Sequence, residues 1–350
     1  MRLGLKILTA MLLLCMPVLS WAAGGARQDS TRQEQKSRHV MSDGSVYIGQ
    51  MKLRKPSGTG RMEFVNGDVY EGAYEKGLRK GVGMYRYANG DVYMGLWEDN
   101  LRSGEGELQY ASGDVYKGGW KSDERYGKGV YMWTDGSYYS GEWENDIKSG
   151  TGLMCWSDSA EYRGSWENGL REGQGEYKSV SYSYTGSWKN DMENGSGACV
   201  LANGDSYKGQ FRNGTITGNG EYTFANGDKY KGTLRNGMAD GKGVFTWADG
   251  SAYDGEWKDN RREGTGQMVW ANGDKYYGEW QNDTPWGNGS MSLADGTKYR
   301  GSFVNGVVDG NGIVEESDGT RLEGVFKEGV RIGTFTVRDK SGKKIRTITY

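Results

Sequence analysis

A tyrosine recurs through this 350-residue chain with a period of 23 residues, apart from one step of 22. Glycine follows two residues after each of these tyrosines, a large apolar residue four after, and a Gly-x-Gly pair begins eleven after. A period of this length indicates tandem structural units that bury their apolar faces against one another. The repeat tyrosines are Tyr47, Tyr70, Tyr93, Tyr116, Tyr139, Tyr162, Tyr184, Tyr207, Tyr230, Tyr253, Tyr276 and Tyr299.

Side chains within each unit alternate in a way that predicts two β-strands joined by a turn. Tyr93, Gly95 and Trp97 are spaced two residues apart and would share one face of a strand. After the Gly-x-Gly pair, Tyr85 and Tyr87 alternate with a polar residue, and Asn-Gly-Asp or Asp-Gly turns follow in most units. Each unit is therefore predicted to be one β-hairpin. The glycine between tyrosine and tryptophan would let aromatic rings lie across the strand.

Composition supports this prediction and excludes several other classes of protein. Glycine accounts for 60 of 350 residues, and each glycine inside a helix costs up to about 1 kcal/mol relative to alanine. The mean hydropathy of −0.80 argues against an enzyme with a thick aliphatic core. An aromatic content of 13% argues against disorder, because these side chains bury a large area. A β protein packed by aromatic side chains remains.

The N-terminal residues 1–22 have the pattern of a secretory signal peptide. Two basic residues, Arg2 and Lys6, precede an apolar stretch over 7–19 that is shorter than the ~20 residues of a membrane span. Small residues at positions 20 and 22 would allow cleavage before Ala23; an uncleaved membrane anchor is the alternative. We therefore expect an exported protein, in the periplasm or at the surface of a bacterium, or in the secretory pathway of a eukaryote. Polar residues 23–41 predict a flexible linker.

The repeated Y-x-G-x-W, the G-x-G pair and the N-G-D turn together resemble the MORN repeat (membrane occupation and recognition nexus). The resemblance covers residues 42–333, where a degraded thirteenth unit follows the twelve regular ones. It implies an all-β fold: an elongated, single-layer, twisted antiparallel sheet of about 12–13 tandem 23-residue hairpin repeats. Residues 334–350 abandon the repeat and predict a C-terminal capping hairpin. One unit is a residue short, and a bulge or bend is expected near residues 176–183, with repeat decay inside a loop as the alternative.

Residues suited to catalysis or metal binding are scarce. His39 is the only histidine and falls in the linker, so no histidine-based triad or metal cluster is expected. No phosphate-binding loop and no EF-hand calcium loop are present, and neither a cofactor nor a metal is expected. Cys155 and Cys199 lie two units apart, roughly 20 Å by strand spacing, so no disulfide is expected. The chain is predicted not to be an enzyme, and a kinase or methyltransferase assignment taken from the resemblance would lack its catalytic domain.

Two surfaces are candidates for binding. The first is a run of tryptophans along five units, which would either contact a partner or form the core: Trp97, Trp120, Trp143, Trp166 and Trp188. The second is a set of basic residues near the C-terminus that would contact anionic lipid: Arg338, Lys340, Lys343, Lys344 and Arg346. Removing residues 1–22 leaves 42 basic and 46 acidic residues, a net charge of −4, which gives no support for a nucleic-acid partner.

The resemblance implies a non-enzymatic scaffold of the cell envelope or secretory space that binds a protein along the trough of the repeats. A peripheral lipid-binding or membrane-binding module is the alternative, and a carbohydrate-binding surface is a third hypothesis. Exposed end strands would also allow a homodimer through the sheet edges.

Overall fold

A computed structural model describes residues 37–350, so the predicted signal peptide and residues 23–36 of the predicted linker lie outside it. The described chain consists of strands and turns, and holds no helical stretch with the length and apolarity needed to cross a bilayer. The strands are β1 Ser37–Val40, β2 Val46–Lys52, β3 Lys55–Glu63, β4 Val69–Glu75, β5 Leu78–Arg86, β6 Val92–Glu98, β7 Leu101–Gln109, β8 Val115–Lys121, β9 Glu124–Met132, β10 Tyr138–Glu144, β11 Ile147–Cys155, β12 Glu161–Glu167, β13 Leu170–Lys178, β14 Tyr182–Lys189, β15 Met192–Leu201, β16 Ser206–Arg212, β17 Thr215–Thr223, β18 Lys229–Arg235, β19 Met238–Thr246, β20 Ala252–Lys258, β21 Arg261–Val269, β22 Lys275–Gln281, β23 Thr284–Ser292, β24 Lys298–Val304, β25 Val307–Glu315, β26 Arg321–Lys327, β27 Val330–Arg338 and β28 Lys344–Thr349.

These 28 strands form one antiparallel sheet in which each strand pairs with its neighbours in the chain. Two glycines face each other in almost every pair, as Gly141 faces Gly152 between β10 and β11. A β-bulge follows the glycine of the first strand in each unit, next to the turn. The predicted all-β, single-layer sheet of tandem hairpins is confirmed.

Two kinds of turn alternate along the sheet. A short turn inside each unit has two residues with positive φ, such as Asn145 (48°) and Asp146 (66°), which is the geometry of a two-residue hairpin loop. A long turn links consecutive units, and in it the Tyr87 amide donates to the Asp91 carbonyl at 2.9 Å. The sequence analysis identified the long turn by its Asn-Gly-Asp motif. Because the two kinds of turn alternate along the chain, all short turns lie along one edge of the array and all long turns lie along the other.

The repeat tyrosines from Tyr47 to Tyr276 each lie over the glycines of two adjacent strands. The Tyr139 side chain is fully buried, and its hydroxyl donates a hydrogen bond to the Glu142 carbonyl at 3.0 Å. A Cβ atom added to Gly141 would lie 2.5 Å from that hydroxyl oxygen, and one added to Gly152 would lie 2.5 Å from a ring carbon. Glycine is therefore required at both positions while the ring stays in place. Burial also raises the pKa of the equivalent Tyr162 to about 12.

Hydrogen bonds join successive long turns along their edge. The Asp205 carboxylate accepts one from the Ala225 amide at 2.9 Å and one from the Tyr222 hydroxyl at 2.8 Å, both in the next unit. Asp or Ser at the same place makes the equivalent bond to the next turn in most of the array, and we call these contacts the turn relay. Its other acceptors are Asp68, Asp91, Asp114, Ser137, Asp228, Ser251 and Asp274.

The turn relay should make stability depend on pH in the acid range. The hydrogen bonds from the Ala225 amide and the Tyr222 hydroxyl hold the pKa of Asp205 below its usual value. Because the folded-state pKa is depressed, the stabilisation is present above the unfolded pKa of about 3.9 and is lost as pH falls through the folded value. Asp205→Asn should therefore lower stability at pH 7 and flatten the loss of stability below about pH 4. Denaturant unfolding between pH 2 and pH 7 measures this.

A matched control for this experiment is Asp254→Asn, an exposed strand residue outside the turns. It should leave the acid limb of the stability curve unchanged. If the free energy of unfolding of Asp205→Asn changes with pH in parallel with that of the wild type from pH 7 to pH 2, the turn relay does not contribute the proposed acid dependence.

The short unit has no bulge between its strands, so the expected bulge is wrong, and the structure has the alternative considered from sequence, a change confined to the loop. Strands β13 and β14 pair in unbroken register, with Gly175 facing Gly186 as in the regular units. The missing residue is taken from the turn, where the Ser179 amide donates to the Tyr182 carbonyl at 2.8 Å across two residues. The register is kept because Gly175 lies beneath the Tyr162 ring and Gly186 lies beneath the Tyr184 ring. A slip would place side chains under these rings.

The ends of the array differ slightly from the predicted boundaries. Residues Ser37–Val40, assigned to the linker from sequence, form β1 and pair with β2, so the sheet begins before residue 42. At the other end β27 and β28 form a hairpin that covers the last unit. Strands β1 and β28 each pair on one side only within the described residues, and a dimer through these edges stays a prediction.

Candidate functional site

The repeat tyrosines and the large apolar residues four positions later form a continuous row of rings on one face, here called the aromatic ladder, from Tyr70 to Phe211. Trp143 packs edge-to-face against Tyr139 at 5.2 Å between ring centroids and against Tyr116 of the preceding unit at 5.5 Å. Its Nε1 donates to the Gly129 carbonyl at 3.3 Å. Each such ring pair adds about 0.5–1.5 kcal/mol beyond area burial, so the ladder joins neighbouring units.

A row of cations covers the outer side of the ladder. The Arg125 guanidinium lies 4.4 Å from the centroid of Trp143 in the next unit, and its Nε donates to the Asp146 carboxylate at 2.8 Å. A second guanidinium nitrogen donates to the Asp146 carbonyl at 2.9 Å, which ties the cation to the next short turn. Cation–π contacts of this type are worth about 0.5–2 kcal/mol. Equivalent cations of the row are Arg79, Arg102, Lys148 and Arg171. Beyond the ladder, Arg262 covers Trp280 in the same way.

This cation row was not expected from sequence, although a signal for it was present. An Arg or Lys stands nine residues after the repeat tyrosine in five consecutive units, and Asp or Asn stands at the short turn of several of them. Lys148 is the one member of those five without such a turn partner, since Gly169 occupies the place. Burial lowers the pKa of the Lys148 ammonium.

The five tryptophans identified from sequence are brought together in the ladder and are only 3–5% exposed. Tyrosine edges and the covering cations leave little ring surface for a partner to contact. Their geometry is that of a core, the second of the two roles considered from sequence. The five are Trp97, Trp120, Trp143, Trp166 and Trp188.

The opposite side of the sheet, here called the open face, carries the alternate side chains of the same strands. An open hollow of about 880 Å³ lies on it between β7 and β13, and a second of about 750 Å³ lies between β14 and β18. Half-buried Val130 and Leu153 give the first hollow an apolar floor among the glycine pairs.

Charged side chains of both signs line the first hollow. Its cations are exposed Lys117, Lys128 and Arg163, and its carboxylates are Glu105 and Glu142. The hydroxyl and the amide of Thr151 donate to Glu142 at 2.8 and 3.2 Å and hold the pKa of this carboxylate below its usual range. The arrangement suits a polar chain with backbone groups and charges of both signs.

The basic C-terminal residues are only partly free to contact lipid. Arg338 donates to the Glu323 carboxylate at 3.1 Å and to the Gly342 carbonyl at 3.2 Å. The other four are exposed at the last turn and strand, at the C-terminal end of the array: Lys340, Lys343, Lys344 and Arg346.

Groups that could serve catalysis or metal binding are dispersed. His39 lies on β1 beside the Ser37 hydroxyl at 2.6 Å. Cys155 and Cys199 are free thiols, and burial raises the pKa of Cys199. Within residues 37–350 no group of three or more His, Cys, Asp or Glu side chains is arranged to hold a metal ion.

Comparison with protein families identifies the repeat. A family model described as the MORN repeat matches twelve consecutive segments, which are residues 47–69, 70–92, 93–115, 116–138, 139–160, 162–183, 184–206, 207–229, 230–252, 253–275, 276–298 and 299–321. No curated protein sequence matches the chain.

Several solved structures resemble parts of the sheet at low similarity. The TCP domain of SAS-4 (dCPAP) of Drosophila melanogaster, solved with a proline-rich motif of Ana2, is 14% identical with a TM-score of 0.26, and the match covers 61% of this chain and 99% of that one. The TCP10 domain of Danio rerio CPAP, solved with a STIL peptide, is 12% identical with a TM-score of 0.17, covering 90% and 99%. Virginiamycin B lyase from Staphylococcus aureus is 12% identical with a TM-score of 0.14, covering 91% and 97%. Scores this low carry no inference about function.

Proposed function

Since twelve matched repeats span most of its length, the chain belongs to the MORN-repeat family, and we propose that it is a non-enzymatic scaffold for a protein partner. Repeat arrays of this family are protein-interaction or membrane-binding modules. The apolar segment over residues 7–19 supports a place in the cell envelope or secretory space. The partner would bind along the open face of the array.

The observation that carries this proposal is the contrast between the two faces of the sheet. Trp143 and its counterparts are covered on the ladder side by tyrosine rings and cations. The open face instead has two adjacent hollows, floored by glycine pairs and lined by side chains of both signs. A surface with a small apolar floor and a polar rim is typical of protein–protein interfaces.

The dimensions of the first hollow suit an extended segment of a partner. It crosses the strands from β7 to β13, which is about 30 Å at ~4.8 Å per strand. An extended polypeptide rises about 3.3 Å per residue, so roughly nine residues would fill it. Lys117, Lys128 and Arg163 would pair with acidic groups of that segment, and Val130 and Leu153 would contact its apolar side chains.

Lipid binding is the second candidate, and an observation on the short-turn edge favours it. Aliphatic residues that follow the short turns stay 37–63% exposed. Together they form a row along one long edge of the array that would enter a lipid surface: Leu78, Leu101, Ile147, Leu170, Met192, Met238, Val307 and Val330. The exposed C-terminal cations would add attraction to anionic headgroups. The ladder does not support carbohydrate binding, because its aromatic rings are buried and would not stack against sugar rings.

The test is capture of a partner from the native envelope fraction by the chain without residues 1–22. Lys117→Glu/Arg163→Glu reverses two exposed charges of the first hollow and should abolish capture by like-charge repulsion. Arg212→Glu/Lys258→Glu makes the same charge change at exposed positions outside both hollows and should leave capture intact. The captured protein, purified again, should form a saturable complex of defined stoichiometry with the wild type.

Two outcomes would contradict the proposal. Capture that survives the Lys117→Glu/Arg163→Glu change would exclude the first hollow as the binding site. Retention only on vesicles of phosphatidylglycerol and phosphatidylcholine, reversed by salt and lost in Leu101→Ser/Leu170→Ser, would establish lipid binding at the short-turn edge instead.

A further inference from the structure

The regular contacts of the array are interrupted at two consecutive long turns. Position 160 and position 182 correspond to the Asp or Ser that accepts hydrogen bonds in the turn relay, but they hold Ala160 and Tyr182. In the next unit Asp205 bonds to the Ala225 amide in the usual way. The relay is therefore absent at Ala160 and Tyr182 and present on both sides of them.

An aromatic wall occupies the place of the missing relay. The shortened turn at residues 179–181 leads directly into Tyr182, whose ring lies 6.3 Å from that of Tyr177. Trp156 packs against the other side of Tyr177, with 6.0 Å between ring centroids. All three rings line a cavity of about 430 Å³ on the ladder side of the sheet. Unlike the ladder tryptophans, they are only partly buried.

The charge of this cavity is negative. Asp158, Asp191 and Glu193 line it together with one cation, Arg171. Arg171 is already engaged, since its Nε donates to Asp191 at 3.0 Å and its guanidinium lies 4.2 Å from the Trp188 centroid. Within residues 37–350, neither Asp158 nor Glu193 forms an ion pair.

Glu193 stands where each of the five preceding units supplies a cation. Nine residues after the repeat tyrosine, the five preceding units carry Arg79, Arg102, Arg125, Lys148 and Arg171. The sixth carries Glu193, and burial together with this carboxylate raises the pKa of the Tyr182 hydroxyl. The row of cations therefore ends at a carboxylate beside three aromatic rings.

We propose that this cavity binds the ammonium group of a lysine side chain supplied by another protein. The ring faces of Trp156, Tyr177 and Tyr182 offer the electron-rich surface that attracts an organic cation, and Glu193 and Asp158 offer the balancing charge. The cavity is large enough for one side chain and its backbone. The inference rests on the proposed function only in that the bound partner would supply the lysine. All residues of the cation site belong to this chain.

The test is a titration of the full chain, labelled with ¹⁵N-tryptophan, with Nα-acetyl-lysine methylamide. The indole N–H resonance of Trp156 should shift saturably, and the uncharged analogue Nα-acetyl-norleucine methylamide should leave it unchanged. Glu193→Gln should weaken binding about tenfold, since a charge-assisted contact is lost. Glu176→Gln, an exposed carboxylate on the open face of β13, should bind like the wild type.

Trp188 also lines the cavity, so its indole N–H resonance should shift in the same titration of the wild type. A second variant, Trp156→Leu, removes part of the wall and should abolish this Trp188 shift, while the other indole resonances report that the chain is folded. Absence of a saturable shift, equal binding of the norleucine analogue, or wild-type affinity in Glu193→Gln would overturn the proposal. Choline binding more tightly than the lysine derivative would overturn the assignment to lysine in favour of a trimethylammonium ligand. These small probes require no partner protein, so their result is independent of the capture experiment.

Discussion

Replacing Gly152 with alanine should destabilise the array by about 3 kcal/mol, a large effect for the addition of one methyl group. The new Cβ atom would lie 2.5 Å from a ring carbon of Tyr139. That ring cannot move aside, because it is fully buried and its hydroxyl is bonded to the Glu142 carbonyl. The φ angle of Gly152 is not positive, so backbone strain contributes nothing to this cost. Urea unfolding at neutral pH measures the change in the free energy of unfolding.

A double-mutant cycle with Tyr139→Ala separates the ring contact from other effects. If the cost of Gly152→Ala comes from the ring, it should fall by about 1–3 kcal/mol when Tyr139 is already alanine. Thr151→Ala, next to the glycine but on the open face, is the matched control and should change stability by less than about 1 kcal/mol. Additive effects of Gly152→Ala and Tyr139→Ala would contradict the packing of tyrosine over the glycine pair.

Replacing Trp143 with alanine should cost about 3–5 kcal/mol, the range for a buried large side chain. The change removes edge-to-face contacts with Tyr116 and Tyr139, the hydrogen bond to the Gly129 carbonyl and the ring beneath Arg125. Because each repeat contacts only its neighbours, the loss should be local. Hydrogen exchange should accelerate most in the units on either side of Trp143.

The matched control is Trp286→Ala, since Trp286 lies outside the ladder and is 38% exposed. Its replacement should cost less than about 1 kcal/mol. Equal losses from the two substitutions would show that the ladder is not the core of the array. Uniformly faster exchange across all units of the Trp143→Ala variant would show that the sheet unfolds as one unit rather than repeat by repeat.

Most of the fold could be predicted from sequence because its determinants are local and repeated. Tyr93, Gly95 and Trp97 share one face by alternation alone, and the Asn-Gly-Asp motif marks the turn between units. By the same alternation Cys199, two residues after Gly197, lies on the aromatic side, and it is buried. The sheet, its face assignment and the approximate limits of the array follow from this pattern.

The site could not be predicted to the same extent, because it depends on contacts between units. Trp143 is covered by Arg125 of the preceding repeat. A contact between two repeats does not produce the two-residue alternation from which the faces of a strand are assigned. The missing residue near Ser179 could have been removed from a strand or from the turn. Gly175 beneath Tyr162 pairs with Gly186 beneath Tyr184, and keeping this pair forces the missing residue to come from the turn. Sequence reasoning therefore placed a candidate surface on the ladder and missed the open face.

The most direct test of the proposed function is hydroxyl-radical footprinting of the array with and without the partner recovered by capture. Bound partner should protect Val130 and Leu153 from oxidation, because both floor the first hollow of the open face. Oxidation of Leu101 and Leu170 on the short-turn edge should stay unchanged, since these residues lie outside that hollow. Protection of Leu101 and Leu170 with unchanged oxidation of Val130 and Leu153 would contradict binding along the open face.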